Sequence, residues 1–138
     1  MGAGHTITAI YEIIPIGVKS DFIKETDNLK YQKKQINQDI STEVATIKTR
    51  YKKPDGHKSI EFNIPVLNNP MELKNTSDNY RFASSVAMFG MLLRNSEYKG
   101  SSDYNQVIKI AENAKGKDDE GYKTEFLRLV KIANQQKL

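Results

Sequence analysis

The sequence predicts an α+β fold, in which a small antiparallel sheet of about three strands is packed with a cluster of three α-helices. Two observations support this class. Apolar and polar residues alternate with a period of two in the first half of the 138-residue chain, as in half-buried strands. After Asn68–Pro70 the apolar residues recur at helical spacing instead. Strands followed by helices are typical of α+β proteins.

Three segments have the composition of strands: 5–14, 43–52 and 59–66. The turn sequence Pro54-Asp55-Gly56 lies between the second and third, and predicts an antiparallel hairpin. Residues 18–41 are polar and have no sustained period, so we interpret them as a long excursion between the first two strands. A sheet of three strands is small and leaves an edge open for pairing with upstream sequence.

Three helices are predicted over residues 80–94, 104–114 and 122–133. The first is apolar over most of its circumference, which predicts a central helix buried on several sides. Its small residues at helical spacing predict a close crossing with another helix, and they are Ala83, Ala87 and Gly90. We therefore interpret residues 1–138 as a single domain, mainly β over 1–70 and helical over 71–138.

Composition excludes several chemistries. The chain has no cysteine and two histidines, His5 and His57, so disulfides, thiolate metal sites and a cysteine nucleophile are excluded. No nucleotide-binding, metalloprotease or serine-hydrolase motif is present. We expect no catalytic residue, no metal site and no cofactor, and thus no enzyme. No apolar run is long enough for a membrane span.

The candidate interaction surface is a basic run in the second predicted strand. It consists of Lys48, Arg50, Lys52 and Lys53. A nucleic-acid site would interleave such cations with a stacking aromatic residue. Strand alternation points Tyr51 away from Arg50 and Lys52, towards the predicted core. With a net charge of only +4, shared equally by the two halves, we expect a protein partner rather than nucleic acid.

Several segments together resemble one family. They are Gly4–Pro15, Ile47–Gly56, Tyr80–Ala83, Phe89–Gly100 and Glu125–Ala133. In this order they resemble the C-terminal domain of bacterial von Willebrand factor type A (VWA) proteins. Phe89-Gly-Met-Leu-Leu-Arg94, followed by Tyr98-Lys-Gly100, is the most specific element.

The resemblance implies that the chain is a piece of a longer protein with a VWA domain upstream. It also implies an extracytoplasmic location, in the periplasm or at the cell surface, often as a lipoprotein. The metal site of such proteins belongs to the VWA domain, so no metal ligand carries over to this chain. We expect a non-catalytic accessory domain that docks against the VWA domain and supports binding of a further protein partner. The alternative is a surface glycan- or polymer-binding module, which exposed aromatic residues such as Tyr11 and Tyr51 would favour.

Overall fold

The computed structural model of the chain describes residues 5–15, 18–22 and 42–136, and it confirms the α+β class. The described elements are two strands followed by three α-helices. Strand β1 is Glu43–Tyr51 and strand β2 is Ile60–Leu67. The helices are α1 (Asp78–Leu93), α2 (Tyr104–Ala114) and α3 (Tyr122–Gln136). The chain divides into two compact units: Glu12–Pro70, which contains the strands, and Met71–Leu138, which contains the helices and also includes Met1–Tyr11.

Local hydrogen bonds explain why each helix begins where it does. The Ser77 hydroxyl accepts the Tyr80 amide at 3.2 Å, which caps α1. The Asp103 carboxylate accepts the Gln106 amide at 2.8 Å and caps α2 in the same way. Such caps satisfy amides that have no partner within the helix.

Asp118 caps the start of α3, although it lies further from the capped amides in sequence than Ser77 and Asp103 do. Its two carboxylate oxygens accept the amides of Lys123 and Thr124 at 3.1 and 2.8 Å. One of them also accepts the Thr124 hydroxyl at 2.7 Å. The negative charge therefore lies at the positive end of the α3 dipole.

The helical unit has its core on one face each of α2 and α3. The buried apolar residues are Val107, Ala111 and Ala114 of α2, and Leu127, Val130 and Ala133 of α3. Helix α1 reaches α3 through aromatic rings, since Phe126 meets Phe82 and Phe89 edge-on with centroids 5.4 and 5.6 Å apart. The small α2 residues allow α2 to lie close to its neighbours, while the larger rings span the distance from α1 to α3.

The prediction that α1 is central and buried on several sides is wrong. Only Ser85 of α1 is fully buried, and its hydroxyl donates to the Phe82 carbonyl at 2.6 Å. Gly90 is exposed, and a Cβ placed there would meet no atom within 4 Å. An apolar circumference does not say which sides have a neighbour, and Tyr80, Val86 and Leu93 of α1 remain exposed.

The second unit contains the predicted hairpin. The Gly56 amide donates to the Lys53 carbonyl at 2.9 Å, which closes a turn around Pro54 and Asp55. The strands pair antiparallel from Tyr51↔Ile60 to Ala45↔Val66, and one irregularity follows before Glu43↔Leu67. Among the described residues the sheet has these two strands and no third.

The predicted strand over residues 5–14 is therefore wrong. These residues form no strand, and Ile7 and Tyr11 are more than 70% exposed. Residues that favour strands form a strand only where a second strand supplies hydrogen-bond partners and a packed face. Of the predicted polar excursion at 18–41, residues 23–41 lie outside the described residues.

Candidate interaction surface

The hairpin separates the four predicted cations into two groups. Lys48 and Arg50 lie on one face of β1, opposite Asn63 and Glu61 of β2. Lys52 and Lys53 follow the end of β1 and lie in the connection to β2. All four are exposed, but only the two strand residues share a face.

Arg50 has an acidic partner that sequence reasoning missed. Its Nε donates to Glu61 Oε2 at 2.6 Å, across the directly paired strand positions. The Arg50 side chain remains 73% exposed, so solvent screens this ion pair and it adds little stability. The signal was available in the turn, because a hairpin closed at Pro54-Asp55 fixes Arg50 opposite Glu61. The predicted surface is thus less positive than its sequence suggests.

The opposite face of the hairpin is apolar and exposed. Its cross-strand pairs are Ala45↔Val66, Ile47↔Ile64, Thr49↔Phe62 and Tyr51↔Ile60. The large side chains of this set are between 39% and 49% exposed, apart from the more buried Val66. We call these eight residues the apolar hairpin face. A continuous exposed apolar surface of this kind is typical of an interaction site.

Tyr51 lies on the apolar hairpin face and is exposed, contrary to the prediction from the sequence. The sequence placed it in the core, whereas it is 47% exposed. Its ring meets the Phe62 ring edge-on, with centroids 6.3 Å apart and planes at 66°. Strand alternation correctly predicted that Tyr51 and Arg50 lie on opposite faces of β1. It did not show whether other residues cover the face that contains Tyr51. Tyr11, the other aromatic residue singled out, lies outside any strand.

Displaced pKa values occur in the helical unit and have local structural causes. The hydrogen bond from the Thr124 hydroxyl has the largest effect on the pKa of Asp118 and lowers it. Desolvation opposes this effect, and the amides of Lys123 and Thr124 and the charge of Lys115 lower the pKa further. Arg128 lowers the pKa of Glu125 by hydrogen bonding to it, and Glu125 raises the pKa of Arg128. These groups stabilise α3, so their displaced pKa values indicate helix stabilisation rather than acid–base chemistry.

The described residues contain neither a cluster of metal ligands nor a membrane-spanning helix. Over 5–15, 18–22 and 42–136, no three His, Asp or Glu side chains lie close enough together to hold a metal ion. Within the same ranges, no helix has the length and apolar character needed to cross a bilayer.

Comparison with known proteins gives two matches. Residues 1–136 match the family model described as "Uncharacterized protein YfbK, C-terminal". The chain is also 36% identical over 139 residues to the "Uncharacterized protein YfbK" of Escherichia coli strain K12. That match covers 97% of this chain but only 22% of the relative, so the chain spans about a fifth of the relative's length. No solved structure matches the chain. The chain belongs to the family of YfbK C-terminal regions.

Proposed function

We propose that the chain is a non-catalytic interaction module of a longer bacterial polypeptide, and that it docks against an upstream VWA domain or the region beside that domain. The observation that carries this proposal is the apolar hairpin face. Five of its large side chains, from Ile47, Tyr51, Ile60, Phe62 and Ile64, are exposed on one side of a two-stranded sheet.

A two-stranded hairpin gains little stability by itself in water, which favours a covered face in the complete protein. Burying a large aliphatic or aromatic side chain contributes about 1.5–3 kcal/mol when it leaves water completely. Part of that gain is still available at the five large side chains named above, because each is between 39% and 49% exposed. The length of the relative supports an occupant within the same polypeptide, since about four fifths of it lies outside the matched region.

The opposite, polar face supports a different role. Arg50 is paired with Glu61, while Lys48 lies opposite the neutral Asn63. Charges at the rim of an interface act mainly on association rate and on choice of partner. We propose that Lys48, Lys52 and Lys53 orient a further, acidic protein partner after the apolar face has docked.

Two more parts of the proposal rest on the sequence. The lack of a catalytic motif supports a role without catalysis. The resemblance to VWA proteins supports an extracytoplasmic location, in the periplasm or at the cell surface.

Two variants of β2 test the docking proposal. Phe62→Thr removes an aromatic ring from the apolar face, and Asn63→Thr changes the adjacent residue on the polar face. Threonine favours strands at both positions. In the native long polypeptide, we expect Phe62→Thr to increase proteolysis of the hairpin at least tenfold, and Asn63→Thr to leave it unchanged. Equal susceptibility of the two variants would contradict the proposal, and circular dichroism of each variant confirms that the helices remain folded.

A glycan-binding module is the second candidate, and the exposure of Tyr51 favours it. A sugar ring stacks on an exposed aromatic face, and Tyr51 lies beside Phe62 on an accessible surface. Titration of the chain with peptidoglycan fragments, followed by Tyr51 ring signals in NMR, separates the candidates. Saturable shifts that Tyr51→Leu abolishes would support glycan binding, because leucine keeps the face apolar but cannot stack.

A further inference from the structure

The helical unit contains a groove that the proposed docking does not use. It lies between the short 3-10 helix Leu73–Asn75 and helices α1 and α2. Leu73, Met88 and Ile110 supply its apolar lining, and its volume is about 640 Å³. This volume is within the range of small-molecule sites, which is about 300–1,000 Å³.

The charged lining of this groove is entirely positive. Lys74, Arg81 and Lys109 contribute to it, and none of its lining residues is acidic. Neutral polar groups from Gln106 and Asn113 complete it. Hydrogen bonding to a neutral ligand is therefore possible, but a cationic ligand would find no counter-charge.

The three cations differ in how much of their charge is already paired. Arg81 is held by Asp78 and by the backbone carbonyls of Thr76 and Lys74. Lys74 meets Glu72 at 2.6 Å, with both side chains well exposed. Within the described part of the chain, Lys109 has no acidic partner. An anion entering the groove would thus find Lys109 without an acidic partner, Lys74 in a solvent-screened pair, and the charge of Arg81 already compensated by Asp78.

We propose that this groove binds a small aliphatic carboxylate, with its hydrocarbon chain on Leu73, Met88 and Ile110 and its carboxylate at Lys109. The hydrocarbon chain of such a ligand matches the apolar lining of the groove, and its carboxylate matches the charge of Lys109. An inorganic anion would leave the apolar lining uncovered, and an uncharged hydrocarbon would leave Lys109 without a partner. The flexible Met88 side chain accommodates chains of more than one shape. This inference is independent of the docking of the hairpin.

Decanoate, below its micelle concentration, is the probe. We expect it to shift the amide signals of Met88, Lys109 and Ile110 saturably in ¹H–¹⁵N NMR spectra of the whole chain. Acetate has the same head group without the hydrocarbon, and decyltrimethylammonium reverses the charge. At equal concentrations we expect neither to shift these signals saturably.

Charge reversal locates the carboxylate. Lys109→Glu should weaken decanoate binding at least tenfold, whereas Lys58→Glu, at an exposed lysine in the connection between β1 and β2, should leave it unchanged. Neither lysine is buried, so both variants are expected to fold. The proposal is wrong if decanoate causes no saturable shift, if the decyl cation binds as tightly, or if Lys109→Glu binds like the unchanged chain. It is also wrong if an acidic aliphatic peptide saturates these signals and decanoate does not, since the groove would then serve a protein.

Discussion

Replacing Gly90 with alanine should make the helical unit more stable. Gly90 lies within α1, three residues before its last residue Leu93, and is exposed. Glycine inside a helix costs about 0.5–1 kcal/mol relative to alanine, because its backbone loses more freedom on folding. A Cβ at this position would meet no atom within 4 Å, so no packing penalty offsets the gain.

The expected magnitude follows from that backbone contribution alone. Gly90→Ala should raise the free energy of unfolding by about 0.5–1 kcal/mol. With a urea slope of about 2 kcal/mol per molar, the unfolding midpoint should rise by about 0.3–0.5 M. Circular dichroism at 222 nm reports the helices directly. The slope itself should not change, since the exposed surface differs by one methyl group.

Gly100 provides the matched control. It also has open space around its Cα, but its φ of 55° and ψ of −135° are rarely adopted by other residues. Gly100→Ala should therefore lower stability by about 1–3 kcal/mol. The same added methyl group thus has opposite effects, depending on the backbone alone.

Gly90→Leu sharpens the test. Leucine favours helices and has room here, so this variant should be at least as stable as the unchanged chain. If Gly90 instead lay at a close helix crossing, Leu would overpack it and cost about 1–3 kcal/mol. Loss of stability in both Gly90 variants would refute the position assigned to this face of α1.

Three further predictions concern the helical unit and the absence of metal. Hydrogen bonds from Thr124 and Lys123 lower the pKa of Asp118 in the folded state. The Asp118 carboxylate therefore contributes fully to stability above the unfolded pKa of about 3.9. This contribution is lost as the pH falls through the lower folded pKa. Acid titrations followed by circular dichroism should show this loss, and Asp118→Asn should reduce it. Phe126→Ala should lower the free energy of unfolding in urea by about 2–4 kcal/mol, because it removes the ring that joins α1 to α3. As a control, Tyr122→Ala changes a residue that is 74% exposed, and it should change the free energy of unfolding by less than about 0.5 kcal/mol. Millimolar Ca²⁺, Mg²⁺ or Zn²⁺ should leave the thermal midpoint unchanged, and a rise of several degrees with any of them would contradict the expectation of no metal site.

The helices and the hairpin could be predicted because their signals are local. Ser77 and Asp103 cap helices through residues three positions away, and Pro54-Asp55 determines which residues of the two strands face each other. The absence of a strand at 5–14 could not be predicted, because strand formation depends on whether a second strand, distant in sequence, lies beside the segment. The exposure of Gly90 also depends on which neighbours exist, and an apolar pattern does not specify them.

The candidate interaction surface could be predicted only in part, because its exposure also depends on neighbours that the local pattern does not specify. Alternation correctly separated Lys48 and Arg50 from Ile47 and Tyr51. It did not show that Glu61 pairs with Arg50, although the turn implied it. Nor could it show that the apolar face is exposed, because alternation defines a face without naming what covers it.

Docking through the apolar hairpin face can be tested by amide hydrogen exchange, with the chain alone compared with the native long polypeptide. We expect slower exchange in Glu43–Tyr51 and Ile60–Leu67 within the long polypeptide. The slowing should disappear with Phe62→Thr but persist with Asn63→Thr. Unchanged exchange in both strands, with protection gained only in the helices, would contradict docking through the apolar hairpin face.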